Sequence, residues 1–258
     1  MAHRVRIQED GSVHGDLDHV LHLLRRASHP VALTGAGISV ESGIPDFRSP
    51  EGLWTVFDPM EYATLSCFLT DPEKAWRLFR AIGRTVAGKQ PNAAHRALAE
   101  LEKAGRLAAL ITQNIDGLHQ AAGSRTVLEI HGDGNRLHCI RCAWHEPMLQ
   151  SHLEPGPIPR CNQCDHPLKP SVVLFEEQVR DMDVIDRHLE KSDLLLVVGT
   201  SAQVTPSSLF PERIQSKGGH VVEFNLEPTL LTPCLAPDGA LVQGPASLTL
   251  GLVAENLA

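Results

Sequence analysis

Four cysteines stand in two pairs, Cys139-x2-Cys142 and Cys161-x2-Cys164, with residues 143–160 between them. Each pair brackets a tight turn that aims two sulfurs at one point, and two such turns complete a tetrahedron of thiolates. With all four positions filled by protein, the spacing predicts one structural zinc and no metal-bound reactive water. Reduced cysteines at an accidental spacing are one alternative, and a small zinc ribbon that binds nucleic acid or protein is another. Cys67 and Cys234 are isolated in sequence and read as buried or incidental thiols.

A second chemical signal lies upstream. Gly35-Ala36-Gly37 follows the apolar residues 31–33, as in a strand that feeds a phosphate-binding turn. The dinucleotide fingerprint would place a third glycine at position 40, where this chain has Val40. Gly43, Pro45, Pro50 and Gly52 then argue against a long regular helix. Two glycines in a turn are a weak signal alone. Context comes from three further strand ends, at residues 112–119 (TQNIDGLH), 199–208 (GTSAQVTPSS) and 225–229 (NLEPT). Small and polar residues at the carboxyl ends of parallel strands are where ligands of such sheets bind. Glu227 reads either as the partner of a ribose hydroxyl or as a solvated loop acid.

These residues need a scaffold. Residues 16–28 carry Leu17, Val20, Leu21 and Leu24 at helical spacing, stopped by Pro30. Residues 71–87 and 91–105 read as two more helices, the first with Asp71 as N-cap and Pro72 at its first position, the second ended by Gly105. Residues 107–112, 126–132, 171–175, 193–200 and 220–226 read as strands, and 182–191 as a helix. Strands alternating with helices imply a parallel sheet covered on both faces. The expected fold is therefore α/β: a Rossmann-like, doubly wound parallel sheet with a helical insertion and a small zinc-binding module. The expected parts are a tail over 1–15, sheet-forming pieces at 16–41, 91–133 and 171–258, a helical and cofactor-loop insertion at 42–90, and the zinc module at 134–170.

The 258 residues carry a net charge of −8, which argues against broad nucleic-acid binding. The N-terminus shows no apolar core of a secretory signal, and apolar runs such as 194–198 are far too short to span a bilayer. A cytoplasmic protein without membrane contact is expected, in which cysteines serve metal or catalysis before disulfides.

Taken together, GAGISVESGIPDFRSPEGLW, TQNIDGLH, HGD at His131, the paired CxxC motifs, GTS and NLE resemble the sirtuin family of NAD-dependent protein deacylases, of bacterial type, in order and spacing. The resemblance runs from about Asp16 to the C-terminus. It implies NAD as a consumed co-substrate and acyl-lysine proteins as partners. In the implied reaction the acyl oxygen of a modified lysine attacks the ribose carbon bearing nicotinamide. Nicotinamide leaves and an alkylimidate forms. A ribose hydroxyl attacks it after losing a proton to a base, and water completes release of lysine and O-acyl-ADP-ribose. A base of near-neutral pKa suits histidine. Among fourteen histidines, His131 matches the family position, with His119 and His95 weaker candidates.

By the same resemblance Asn114 orients ribose or water, Asp116 holds the nicotinamide carboxamide, and Gln113 contacts ribose. Ala36, Asp46, Phe47 and Arg48 line the nicotinamide–ribose region, with Phe47 shielding the reactive carbon. Gly35, Gly37, Ser39, Ile44, Trp54, Ile115, Gly199, Thr200, Ser201, Asn225, Leu226, Glu227 and Ala246 complete the implied NAD site. Ala63 resembles the small residue that widens the acyl pocket. Phe79 and Ile82 stand where the succinyl-removing subgroup has Tyr and Arg, so neutral acyl groups are expected; Arg80 and Arg84 should point away from that face.

The chain departs from the family at Phe175-Glu176-Glu177, where Phe-Gly-Glu is usual near the peptide cleft, and at Asp133, where Asn or Ser is commoner. A sirtuin-like ADP-ribosyltransferase and an NAD-binding regulator that docks partners through its zinc module are the alternatives.

Overall fold

Leu194 to Val198 are all apolar and all buried, as befits a strand covered on both faces. Leu194, Leu196 and Val198 join one core, and Leu195 and Val197 the other. That two-sided burial organises the chain. The computed structural model describes residues 2–46, 52–235 and 238–257.

The chain opens with β1 (His3–Ile7) and β2 (Val13–Gly15), then α1 (Leu17–Arg26) and β3 (Pro30–Thr34). After β3 comes a 3-10 helix, Ala36–Ser42, which Gly43 ends in the left-handed region at φ 78°. The helical insertion holds α2 (Pro59–Tyr62), α3 (Leu65–Thr70) and α4 (Pro72–Val86). Next are α5 (Ala93–Lys103), β4 (Ala109–Thr112), α6 (Leu118–Ala122) and β5 (Val127–Glu129). The cysteine-bearing region contains β6 (Gly132–His138), β7 (His145–Pro147) and β8 (Lys169–Val172). The chain closes with α7 (Met182–Lys191), β9 (Leu194–Val198), α8 (Phe210–Ser216), β10 (His220–Asn225), β11 (Ala240–Gln243) and α9 (Ala246–Glu255).

The main sheet has the order β2-β1-β11-β10-β9-β3-β4-β5, with only β2 antiparallel to its neighbour. From β3 the chain winds outward through β4 and β5, then returns to β9 on the other side and winds outward again. The strand order therefore reverses between β3 and β9, which is the expected doubly wound arrangement with its ligand-binding crevice. Helices α1, α5 and α9 cover one face and α7 and α8 the other. Side-chain caps start three of the four helices that were read from sequence: Asp16 accepts from His19 N, Asp71 from Lys74 N, and Asn92 from Ala94 N, whereas α7 has no side-chain cap.

Two expectations change. Residues 1–15 are not a tail: β1 pairs with β11, and Val5 and Ile7 are buried while Arg4 and Arg6 are not. The period-two alternation of a half-buried strand is present in HRVRI itself. The strand expected at 171–175 lies instead at Lys169–Val172 and pairs antiparallel with β6 in a separate three-stranded sheet, β7-β6-β8. Val172 and Leu174 point into a third core, where Phe68, Trp76 and Phe79 of the helical insertion meet Leu137, Leu168 and the buried Cys139 and Cys161. Trp76 is fully buried, and its ring N–H donates to the Leu168 carbonyl at 2.8 Å. The two insertions thus share one core.

Candidate active site

The turns after β3 and β9 meet at the point where the strand order reverses. Gly37 N donates to Gly199 O at 2.8 Å and Gly35 N to Val198 O at 3.0 Å. A Cβ at Gly37 would lie 2.7 Å from Gly199 O, and one at Gly199 only 2.4 Å from Ile38 N. Gly199 also sits in the left-handed region at φ 57°. These glycines therefore let two backbone turns touch. Their N–H groups are bonded to carbonyls, so it is the tight approach of the backbone that these glycines provide.

Around this contact opens a cavity of about 990 Å³. Its wall includes Gly35, Ala36, Gly37, Asp46, Trp54, Gln113, Asn114, Ile115, Gly199, Thr200, Ser201, Asn225, Leu226, Glu227 and Ala246, all expected from the sequence. His131 and the acyl-side residues Ala63, Phe79 and Ile82 line the same cavity. Its volume and its wall of backbone turns and polar strand ends fit an extended dinucleotide with an adjoining substrate group. A second cavity of about 480 Å³ adjoins it and shares Phe79, Ile82, Ile115 and Val172. Asp116 lines this second cavity and not the first. Ser39 and Ile44 are buried in neither wall, and Phe47 and Arg48 lie outside the described residues.

His131 follows β5 and precedes Gly132, whose φ of 82° turns the chain into β6. Its Nδ1 lies 3.0 Å from the Gln113 carbonyl, which can only accept, so Nδ1 carries the proton and Nε2 keeps its lone pair. Burial pushes the imidazole below its ordinary pKa, opposed by the Gln113 hydrogen bond. A neutral imidazole with a basic Nε2 at a cavity wall can accept a proton near neutral pH.

Behind the wall lies a buried polar platform. Asn114 Nδ2 donates to Gly35 O at 3.2 Å and to Ser39 Oγ at 3.1 Å, and Ser39 Oγ donates to Asp116 Oδ2 at 2.7 Å. Thr34 Oγ1 donates to Thr112 Oγ1, which in turn accepts from Asn114 N. His119 Nε2 is 2.9 Å from Thr34 Oγ1, and its Nδ1 has no partner among the described residues, although the residue is buried. Burial lowers the pKa of His95 to about 4 and of His119 to about 3. Neither lines either cavity, so the structure brings them to the platform and leaves His131 as the base candidate.

Sequence reading missed one acid of the wall and the side-chain bonds that brace its loops. Glu9, on the turn between β1 and β2, reaches the cavity; recognising the alternation in HRVRI would have exposed it. Glu223 of β10 is fully buried and accepts from Thr229 Oγ1 and Thr232 Oγ1 at 2.6 Å each, which pins the loop bearing Leu226 and Glu227. Gln113 Nε2 donates to Thr200 Oγ1 at 3.0 Å, linking the loops after β4 and β9.

The four paired cysteines converge. Their sulfurs all lie within 4.8 Å of one another, with Cys139–Cys164 and Cys142–Cys161 at 3.5 and 3.4 Å. A tetrahedral zinc with ~2.3 Å bonds spaces its thiolates ~3.8 Å apart, so the donor set fits zinc. Cys67 is half-buried and Cys234 exposed; neither belongs to this group. Among the described residues, no helix is long and apolar enough to cross a membrane.

Residues 35–206 match the model of the Sir2 family. The NAD-dependent protein deacylase of Pyrococcus furiosus is 41% identical, over 84% of this chain and 89% of that protein. The NAD-dependent protein deacetylase of Saccharolobus solfataricus is 38% identical, over 93% of this chain and 96% of its own length. Both sources are archaeal, whereas the motifs had suggested a bacterial type. A crystal structure of a Sir2 homolog–NAD complex superposes with a TM-score of 0.85 at 39% identity, covering 93% of each chain. A Sir2–p53 peptide–NAD+ structure gives 0.82 at 31%, covering 93% of this chain and 98% of that one.

Proposed function

This chain belongs to the Sir2 family and is an NAD-dependent protein-lysine deacylase; we propose that His131 is its general base and that it favours neutral acyl groups. NAD, when bound, supplies the ribose carbon to which nicotinamide is attached and the neighbouring hydroxyls that receive the acyl group. The protein's part is to orient, to exclude water and to move one proton. His131 Nε2 takes that proton from a ribose hydroxyl, and the Gln113 carbonyl fixes the tautomer that makes this possible. Asn114, held by both amide hydrogens, keeps the wall at the ends of β3 and β4 in place for the ribose. Asn225, Leu226 and Glu227 receive the adenosine half, and Glu227 pairs a ribose hydroxyl. Asp116 engages the carboxamide from the side of the smaller cavity.

The observation that carries this reading is the single cavity in which His131, the polar ends of β3, β4, β9 and β10, and the apolar Ala63–Phe79–Ile82 wall occur together. Cys139, Cys142, Cys161 and Cys164 would hold a zinc ion that ties the small sheet together beside α4. Cysteine usage dominated by a metal cluster suits a reducing compartment, which favours the cytoplasm. The acidic net charge speaks against a nucleic-acid partner.

The test is incubation of the protein with NAD and a panel of acyl-lysine peptides, with products read by mass. Free lysine peptide and O-acyl-ADP-ribose are expected. ADP-ribosylated protein without deacylated peptide would overturn the assignment in favour of ADP-ribosyl transfer.

A further inference from the structure

Glu176 stands where the resemblance leads one to expect glycine, and its backbone is left-handed at φ 77°. A glutamate in that region is strained, at a cost of about 1 kcal/mol or more, so surrounding contacts must hold it. Those contacts are explicit. Its Oε2 accepts from Ser66 N at 2.9 Å and from Ser66 Oγ at 2.7 Å. The preceding residue is locked to the same segment: Phe175 N donates to Ala63 O at 2.9 Å, and Leu65 N donates to Phe175 O at 3.0 Å. On the other side, Glu177 accepts from the buried Lys169 ammonium at 2.9 Å and from Leu174 N at 2.8 Å. The segment 173–177 is thus tied down at both ends, with Glu176 exposed on the cavity rim beside the acyl-side wall.

We propose that Glu176 is a specificity-determining residue that selects protein substrates carrying a cationic side chain close to the acyl-lysine. The proposal rests on the deacylase reading above. The two Ser66 donors hold the Glu176 carboxyl below the ordinary carboxylate range, so it is anionic throughout the working pH range. Its position does not depend on a flexible side chain finding the peptide, because Ser66 has already fixed it. No lysine or arginine among the described residues lines this cavity to neutralise it. Of the other acids on the wall, Glu177 is paired with Lys169, Glu41 is bonded to Ser247, Glu227 lies on the adenosine side with Gln243, and Glu9 and Asp46 belong to the β1–β2 turn and the segment after β3, not to the segment that carries Glu176. The exposed ring of Phe175 next to it offers an apolar seat for the aliphatic stem of a lysine or arginine.

The experiment measures binding and turnover of acetyl-lysine peptides that differ only in having Arg, Ala or Glu at the two positions on either side. At low salt the Arg peptide is expected to have a KM about three- to tenfold below that of the Glu peptide at one flanking position or more, with kcat unchanged, and 1 M salt should erase the difference. Glu176→Gln keeps the size and an acceptor for Ser66 but not the charge; it should abolish the KM ratio between the Arg and Glu peptides. Glu176→Lys should invert it. The salt dependence of the unaltered protein decides the matter even if a variant fails to fold. Turnover with equal KM values for all three peptides overturns the proposal alone. Absence of binding and turnover for every peptide overturns the deacylase reading together with it.

Discussion

On the proposed reading, a succinyl-lysine would carry its carboxylate into the part of the cavity walled by Ala63, Phe79 and Ile82. Phe79 is 3% exposed and packs edge-on against Trp76 at 5.7 Å, so this wall is apolar and firmly seated. Of the three arginines of α4, Arg77 lines neither cavity and the other two are already committed. Arg80 donates to the carbonyls of His152 and Gly156, and Arg84 to Leu153 O, all in the cysteine-bearing region. A carboxylate here loses hydration without gaining a cation. The penalty for a fully buried unpaired charge is several kcal/mol, and the open mouth reduces it to about 2–3, or roughly 30- to 150-fold in kcat/KM. Acetyl-lysine and longer aliphatic acyl-lysines should therefore be processed better than succinyl-lysine by that factor on matched peptides. Building the missing partner, Phe79→Tyr with Ile82→Arg, adds a charge-assisted hydrogen bond of about 1.5–3 kcal/mol and should raise the succinyl-to-acetyl ratio roughly 10- to 100-fold. A melting curve establishes that the double variant is folded. Succinyl preferred by the unaltered protein would refute the reasoning. It would direct attention to Lys89, which lines the adjoining cavity.

Four further outcomes follow from the same geometry. His131→Ala should lower kcat by ~10²–10⁴-fold while NAD binding measured by calorimetry stays near normal, and near-normal turnover would remove His131 from its role. Because burial lowers the His131 pKa, the acid limb of the kcat/KM profile should have its midpoint below 6.5; a midpoint above that value contradicts the assigned environment. Each chain should hold one zinc by metal analysis, and replacing any of Cys139, Cys142, Cys161 or Cys164 should lower the melting temperature, because metal binding contributes folding free energy; active protein free of zinc would refute this. Stability should fall on acidification below pH 6.5. His95 and His119 stay neutral in the fold down to about 4 and 3, whereas the unfolded chain takes up protons from about 6.5. Each contributes a slope of at most about 1.4 kcal/mol per pH unit across that window, so denaturant unfolding at pH 7 and pH 5 should differ by a few kcal/mol, and equal stabilities would count against it.

Much of this was legible because the signals are local. Caps and helical spacing marked α1, α4 and α5, and two cysteine pairs marked the metal cluster. The motif residues at the ends of β3, β4, β9 and β10 came together at one cavity. What was not legible depends on partners distant in sequence. Residues 171–175 carry β-branched and apolar side chains suited to either sheet, and only the pairing of Ser171 with Asp133 and Val172 with Gly132 assigns β8 to the smaller one. The shared core of the two insertions rests on contacts such as Trp76 with Leu168, which no local pattern announces. The N-terminal strands were overlooked although their alternation was present, because β1 needs β11, at the far end of the chain, as its neighbour.

The motif residues also divide by physical role in a way that sequence spacing does not display. Asn114, His131 and the glycine turns face the cavity, while Ser39, Thr34, Thr112, His95 and His119 support them from behind. Ser39 is the junction of that support, since it both accepts from Asn114 and donates to Asp116. Removing its hydroxyl leaves two inward-facing polar groups each one partner short, at ~1–3 kcal/mol apiece, and frees the wall that must hold the ribose. The support also has to keep a constant charge while the base titrates. With His95 and His119 held at about 4 and 3 by burial, both are neutral across the range in which His131, as the proposed base, would exchange a proton. The platform therefore keeps one hydrogen-bond pattern through the working pH range, and the change of protonation is confined to the histidine that faces the cavity.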